Sequence, residues 1–334
     1  MSNRGDLSEN DPEDKRLDGT SKNVELGRAL ALLFGGQVEE GLELYRKALK
    51  GDHLPSAPVG LHLKLLRGAG HSGTADRLLA VALREGANVA VRAGGFGADP
   101  AQAAAEYEEL FGRGIVNSRM VHEHLLALSE QNRADEVERF LAPSLLLHTS
   151  FLRPGQDNPA VFAGKVEALL LDLQDQAEPQ DARQSIRRMH MLKNFDRLEH
   201  PVAQALMASF FAEVQHYLAA WRASGHPLAH SVPSRFDLGA WGLVSHGEGY
   251  NERHIHAQGW ATGVYYPTTV TDDVGGHLVI GPPAALAGKA RGWHTRVIRP
   301  EAGLLVLIPS FYMHWTVPLG RPGLRTSIAF DVLP

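Results

Sequence analysis

Cysteine is absent from the 334 residues. The chain therefore has no disulfide framework, no thiolate nucleophile and no sulfur-ligated zinc, and any metal must be held by His, Asp or Glu. An excess of one charge is also lacking. The 33 basic and 38 acidic residues leave a net charge of −5, which gives no strong pull toward nucleic acid or an anionic membrane. Long apolar runs are missing too. Residues 1–22 are polar and charged (Arg4, Asp6, Glu9, Asp11, Glu13, Asp14, Lys15) and lack the apolar segment of a signal peptide. No later run is long enough to span a bilayer. These absences lead us to expect a cytoplasmic protein with a disordered tail over 1–22, binding neither nucleic acid nor membrane.

What is present is an ordinary globular composition, 44% hydrophobic and 21% charged, in a chain long enough for two domains and a sizeable core. Over residues 23–145 the apolar spacing is helical. Leu30, Leu33 and Phe34 precede a Gly35-Gly36 turn, and Leu42, Tyr45 and Leu49 follow at helix spacing. Related layouts return with turns near Gly70, Asp99 and Asn132, roughly 30 to 35 residues apart, a period that suits helix-turn-helix repeats of the tetratricopeptide kind. Stacked helix pairs offer a concave face for a peptide or protein partner. The plainer alternative is a helical domain that covers its neighbour or forms a homodimer.

Residues 146–334 form the second expected domain. "PAVFAGKVEALLLDLQDQ" reads as an amphipathic helix. A second helix carries Val202, Leu206, Phe210, Val214, Tyr217 and Trp221 on one stripe, between Pro201 and Gly225. The basic segment Arg183 to Asn194 reads as a loop or edge strand. From Phe236 onward, short runs rich in Val, Ile, Leu and Tyr alternate with Gly, Pro and Asp, as strands with tight connections do. "TTVTDDVGG" reads as a hairpin connection. The fold class is α+β: an N-terminal α-helical, TPR-like domain followed by a jelly roll braced by helices.

The chemistry concentrates in this second part. His254 and His256, two apart on an extended segment, point to one face. His314 arrives after a Pro-Ser turn, and in a small barrel remote strands face each other across the interior. Three imidazoles would then converge on one divalent ion such as Fe(II) or Zn. The common non-heme iron site has two His and one carboxylate. No acid stands at position 256 here, so a carboxylate would have to come from Glu252 or Asp273. Arg325 and Ser327 share a face of the last strand. In the largely apolar setting "LRTSIAF", a guanidinium without an anionic partner is costly. Beside a hydroxyl it suits a carboxylate held by two parallel hydrogen bonds. A diacid could place one end on the metal and the other on Arg325.

The segments "NERHIHAQGWATGVYYP", "GGHLVIG", "VIRPEAGLLVLIPSFYMHWTVPL" and "RTSIAFDV" resemble the catalytic domain of the 2-oxoglutarate/Fe(II)-dependent oxygenases, in particular the bacterial branch fused behind tetratricopeptide-like repeats. The likeness runs from about Arg183 to Pro334 and is strongest after Asn251. It implies a double-stranded β-helix that uses Fe(II), 2-oxoglutarate and O2. His254, His256 and His314 would take the metal positions, Arg325 and Ser327 the far carboxylate of the cosubstrate, and Tyr265 or Tyr266 would touch it. His256 stands where much of the superfamily has an acid, and Ala257 where this branch has Pro. The implied activity is hydroxylation of a protein, peptide or small molecule with release of succinate and CO2. Trp260, Phe311, Tyr312 and Trp315 flank the expected site and either line a substrate mouth or fill the barrel. His246, His277 and His294 read as loop or surface residues. Two other classes stay open: a cupin-like three-His metalloenzyme that needs no 2-oxoglutarate, and an inactive scaffold whose repeats bind a partner.

Overall fold

The computed structural model describes residues 19–49, 56–84, 99–156, 158–179, 185–247, 249–270, 275–286, 288–319 and 323–334. Most of the expected tail, and Asp273 with its connection, lie outside them. The chain divides into two compact units, Met1–Val89 and Ala90–Pro334.

In the first unit α1 (Gly19–Phe34) packs on α2 (Val38–Leu49) and α3 (Ser56–Gly68) on α4 (Ser72–Arg84). Each hairpin turns at a glycine in the left-handed region, Gly36 (φ 81°) and Gly70 (φ 84°), where a side chain would be strained. Leu26, Ala29 and Leu33 of α1 are buried, as are Leu42, Tyr45 and Leu49 of α2.

The second unit opens with α5 (Pro100–Gly112), α6 (Ser118–Glu130), α7 (Ala134–Leu141) and the single turn α8 (Pro143–Leu146). Asp99 caps α5 by accepting from the Ala101 amide, and Asn117 caps α6 by accepting from that of Met120. Periodicity places the change of organisation near residue 145, whereas these helices group by contact with the strands that follow. Next come β1 (His148–Phe151), α9 (Pro159–Asp172), β2 (Glu178–Pro179), β3 (Ile186–Arg187), β4 (His190–Leu192) and α10 (Pro201–Arg222). The remaining elements are strands: β5 (Asp237–His246), β6 (Tyr250–Asn251), β7 (Ala261–Tyr266), β8 (Leu278–Ile280), β9 (Arg296–Ile298), β10 (Leu304–Pro309), β11 (His314–Thr316) and β12 (Leu324–Leu333).

One antiparallel sheet runs β1-β10-β7-β12-β5-β4-β2, and smaller ones run β11-β8-β9 and β3-β6. This is the expected jelly-roll arrangement behind a helical region. The basic segment forms β3 and β4, and β4 is covered by β2 rather than left at the edge. β12 is central to the large sheet, paired along its length with β5 and over Ile328–Val332 with β7. Its two faces separate cleanly, as strand alternation requires. Ile328, Phe330 and Val332 are fully buried, and Phe330 stacks on Phe210 of α10 at 4.3 Å. A side chain at Gly263 would collide with the Phe330 ring, so glycine makes room for it. Burial of each such side chain contributes roughly 1.5–3 kcal/mol. The other face, Arg325, Ser327, Ala329 and Asp331, lines an interior cavity.

The helical layer grips the connections that carry the histidines. Ser118 donates to the Gly259 carbonyl (2.6 Å) and His122 Nδ1 to that of Phe311 (3.2 Å). The Trp293 indole N–H donates to Ser129 (2.9 Å), and the Tyr312 hydroxyl to the Leu141 carbonyl. No helix among the described residues is long and apolar enough to cross a membrane.

Candidate metal centre

His254 and His314 form an isolated antiparallel bridge, each amide donating to the other's carbonyl at 3.0 and 3.1 Å. The His256 amide donates to Ser310 at 2.9 Å. Backbone hydrogen bonds thus stitch the two remote segments together. The ring centroids lie 4.4 Å (His254–His314), 5.0 Å (His254–His256) and 5.1 Å (His256–His314) apart. One ligand nitrogen from each ring lies within 4.8 Å of the others.

The second nitrogen of each ring shows which proton is where. His254 Nδ1 sits 2.7 Å from the Glu252 carbonyl, and His314 Nδ1 2.9 Å from that of Tyr312. A carbonyl only accepts, so both Nδ1 atoms carry the hydrogen and both Nε2 lone pairs are free. Nε2 of His254 and Nε2 of His256 are 3.1 Å apart. Burial, reinforced by the neighbouring His256, lowers the His254 pKa to about 4. Burial, then His254 and His256, holds His314 well below the usual histidine range. Near neutral pH these are uncharged imidazoles whose lone pairs converge. That donor set fits a divalent cation that binds nitrogen, and backbone carbonyls that fix the tautomer are the usual support for such ligands.

The third ring is held differently. His256 Nδ1 lies 2.6 Å from Asp331 Oδ1, and its ring lies nearly parallel to that of Trp241, 14° and 5.9 Å apart. Neither Asp331 nor Trp241 was singled out in the sequence. Asp331 shares strand parity with Arg325 and Ser327, so the signal was present. Of the acids considered there, Glu252 turns its carboxylate to Arg187 (2.8 Å).

All three histidines line a cavity of about 560 Å³, together with Arg325, Ser327, Tyr266 and Trp241. Arg325 is 5% exposed. Its guanidinium donates to the carbonyls of Gly249 (3.2 Å) and Gly276 (3.4 Å), and among the described residues no carboxylate pairs with it. Burial lowers its pKa, partly offset by Tyr266. Burial also pushes up the hydroxyl of Tyr266, which shares this cavity. Tyr265 is on the opposite face, its ring 6.0 Å from Phe210.

Of the four aromatics expected at a mouth or in the filling, Trp260, Phe311 and Tyr312 are buried in the filling, Trp315 is half-buried, and none of the four lines the cavity. Trp260 packs on Trp221 (5.4 Å), as does Phe311 (6.3 Å). Tyr312 is buried against the helical layer, and Trp315 lies beneath the Arg253 guanidinium at 3.8 Å. Pro309 to Trp315 leaves the strand, so the parity argument does not carry through it. His246 and His294 are exposed, as expected.

The jelly roll thus carries a cluster of three histidines that could hold a metal ion. Residues 239–331 match the family model described as "Putative 2OG-Fe(II) oxygenase". No curated protein matches the chain. Solved structures similar to it include a Pseudomonas putida prolyl-4-hydroxylase (16% identity, 59% of this chain and 97% of that one, TM-score 0.41). Another is a Trichoplax adhaerens prolyl hydroxylase in complex with a hypoxia-inducible-factor peptide fragment (15%, 61% and 92%, TM-score 0.40). A third is HygX from Streptomyces hygroscopicus with nickel and 2-oxoglutarate bound (13%, 59% and 86%, TM-score 0.38).

Proposed function

We propose that this chain is an Fe(II)- and 2-oxoglutarate-dependent dioxygenase that hydroxylates a protein, peptide or small-molecule substrate, releasing succinate and CO2. The observation that carries the reading is the shared cavity: three convergent imidazoles and one buried guanidinium that has no carboxylate partner among the described residues. His254, His256 and His314 would hold the iron through Nε2. Arg325 would hold the far carboxylate of 2-oxoglutarate, with Ser327 and Tyr266 on the same cavity wall. When bound, the iron and cosubstrate supply oxidative decarboxylation of the keto acid by O2, coupled to hydroxylation of a substrate C–H bond.

The chain's own contribution is orientation and exclusion of water. The Glu252 and Tyr312 carbonyls lock two rings as ligands before any metal arrives, which lowers the cost of ordering the site. The apolar wall of Leu278, Val306 and Ile308 lowers the local dielectric, which would strengthen the pull of Arg325 on an anion. Trp241 is the large aromatic surface beside His256 in this cavity.

The test is succinate release from 2-oxoglutarate with Fe(II), run alone and against a panel of amino acids, peptides and cell lysate. Fe(II)-dependent succinate, even uncoupled, is the expected result. No succinate from protein that binds Mn(II) and has an intact fold would overturn the reading. The three-His alternative without 2-oxoglutarate would gain if Arg325→Ala left turnover unchanged.

A further inference from the structure

We infer that Asp331 is a positioning residue for His256 and supplies, from behind the imidazole ring, a negative charge that the three-histidine set lacks. The inference rests on the three-histidine reading of the site. Three neutral imidazoles leave a divalent ion's charge uncompensated, whereas a His-His-carboxylate set cancels part of it. Asp331 Oδ1 lies 2.6 Å from His256 Nδ1. That oxygen is buried and has no aligned hydrogen-bond donor. A buried carboxylate oxygen left in that state costs free energy. The ring N–H of His256 is the donor in reach, and a small rotation of either side chain aligns it. Thr262 Oγ1, 3.5 Å from the same Nδ1, spends its hydrogen on the Phe330 carbonyl at 3.0 Å, so toward the ring it too can only accept, from farther away than Asp331.

The three rings then follow one rule with one exception. His254 and His314 give their Nδ1 protons to neutral carbonyls, and His256 gives its proton to a carboxylate. A carboxylate there fixes the tautomer and aims Nε2 at the other two rings. The placement follows from strand register. Asp331 pairs with Thr262 across β12 and β7, on the face that also carries Arg325 and Ser327. One strand thus supplies both the guanidinium for the cosubstrate and the anion behind the third ligand.

The experiment is a Mn(II) titration, followed by the electron paramagnetic resonance signal of free Mn(II). It uses full-length wild-type protein, Asp331→Asn, His256→Ala and the double variant. We expect Asp331→Asn to weaken Mn(II) binding roughly 10- to 100-fold, the usual cost of losing such a partner. In the His256→Ala background the same substitution should change the dissociation constant by less than about twofold, because a positioning residue acts only through its ring. Equal binding by wild type and Asp331→Asn would overturn the inference and leave the three-histidine site standing, as would an equal loss in both backgrounds. Failure of wild type to bind Mn(II) would overturn both. A readout without substitution guards against misfolding of the variant. The ¹⁵N signals of His256 in wild-type protein should report Nδ1 protonated, and the opposite tautomer would refute the assignment.

Discussion

Two sets of histidines in the second unit, one on α6 and one at the candidate metal centre, separate packing from chemistry. On α6, His122 and His124 are buried, and burial lowers the pKa of each to about 4. In the connection from β6 to β7 and at the start of β11, His254 and His314 are lowered for the same reason. By burial and pKa alone the two sets are alike. They differ in where the lone pairs go. His124 sits among Phe111, Tyr107 and Phe140, and neither ring nitrogen has a partner. His122 spends one nitrogen on the Phe311 carbonyl. The other set gives its Nδ1 protons outward and aims its Nε2 atoms at a common point. Convergence, with the far nitrogen tied down, is what makes a candidate metal site; burial does not.

The largest test of that contrast removes a converging ring. His314→Ala or His254→Ala should abolish Mn(II) binding and succinate release, while His122→Ala should leave the Mn(II) stoichiometry at one per chain. Loss of stoichiometric binding in His122→Ala would erase the distinction. Next comes the cation across the cavity. Arg325→Met should raise the 2-oxoglutarate dissociation constant by about 2–5 kcal/mol, or some thirty- to several-thousand-fold, as expected when one partner of a buried charged pair is truncated. Mn(II) affinity without 2-oxoglutarate should hold. Calorimetric titration of both ligands reads the two effects apart, and a parallel loss of metal binding would contradict the division of roles.

Much of this site could be read from residue order, because its elements obey simple periods. The i, i+2 spacing of His254 and His256, and of Arg325 and Ser327, already puts each pair on one face, and the apolar setting of Arg325 demands an anion. What could not be read depends on register between strands. Asp331 meets His256 only because β12 pairs with β7 at Thr262, a contact 75 residues apart in the chain. Trp241 was overlooked because "FDLGAWGLVSH" gives no sign of which face turns inward. Trp260, Phe311, Tyr312 and Trp315 sit close to the ligands in sequence, but in turns, where proximity along the chain does not fix direction. The role of α5–α7 as a brace is equally hidden, since helical periodicity looks the same whether a helix faces a helix or a barrel.

Acid sharpens the comparison. A histidine with a folded-state pKa near 4 and an unfolded value near 6.5 binds fewer protons folded than unfolded between those limits. Its contribution to stability is therefore complete above about pH 6.5 and is lost as pH falls toward 4. For His122 and His124 the shift corresponds to at most about 3 kcal/mol each, at 1.36 kcal/mol per pH unit. The melting temperature of the metal-free protein should fall steadily through this window in scanning calorimetry. Saturating Mn(II) should raise it most at neutral pH and progressively less as protons compete for the ligand nitrogens. A flat profile would contradict the burial of both sets.

The smallest effect expected is the most diagnostic of α6. His124 places two unpartnered ring nitrogens in an aromatic nest, with rings 5.0 Å (Phe140), 5.4 Å (Phe111) and 6.1 Å (Tyr107) away, each at a steep angle. A polar group buried without a partner costs on the order of 1–3 kcal/mol, and edge-to-face packing is kept by any aromatic ring of this size. Replacing imidazole by phenyl removes the unpaired nitrogens and adds one ring atom to a tight site, and the strain of that extra volume offsets part of the gain. His124→Phe should therefore stabilise the chain by about 1 kcal/mol at pH 7 and remove one proton from the acid unfolding slope. Mn(II) affinity should stay the same, because the ring touches neither His254 nor His314. Destabilisation with an unchanged acid slope would mean that His124 is not the neutral, unpartnered ring inferred from its surroundings. The contrast between packing and ligand histidines would then need another basis.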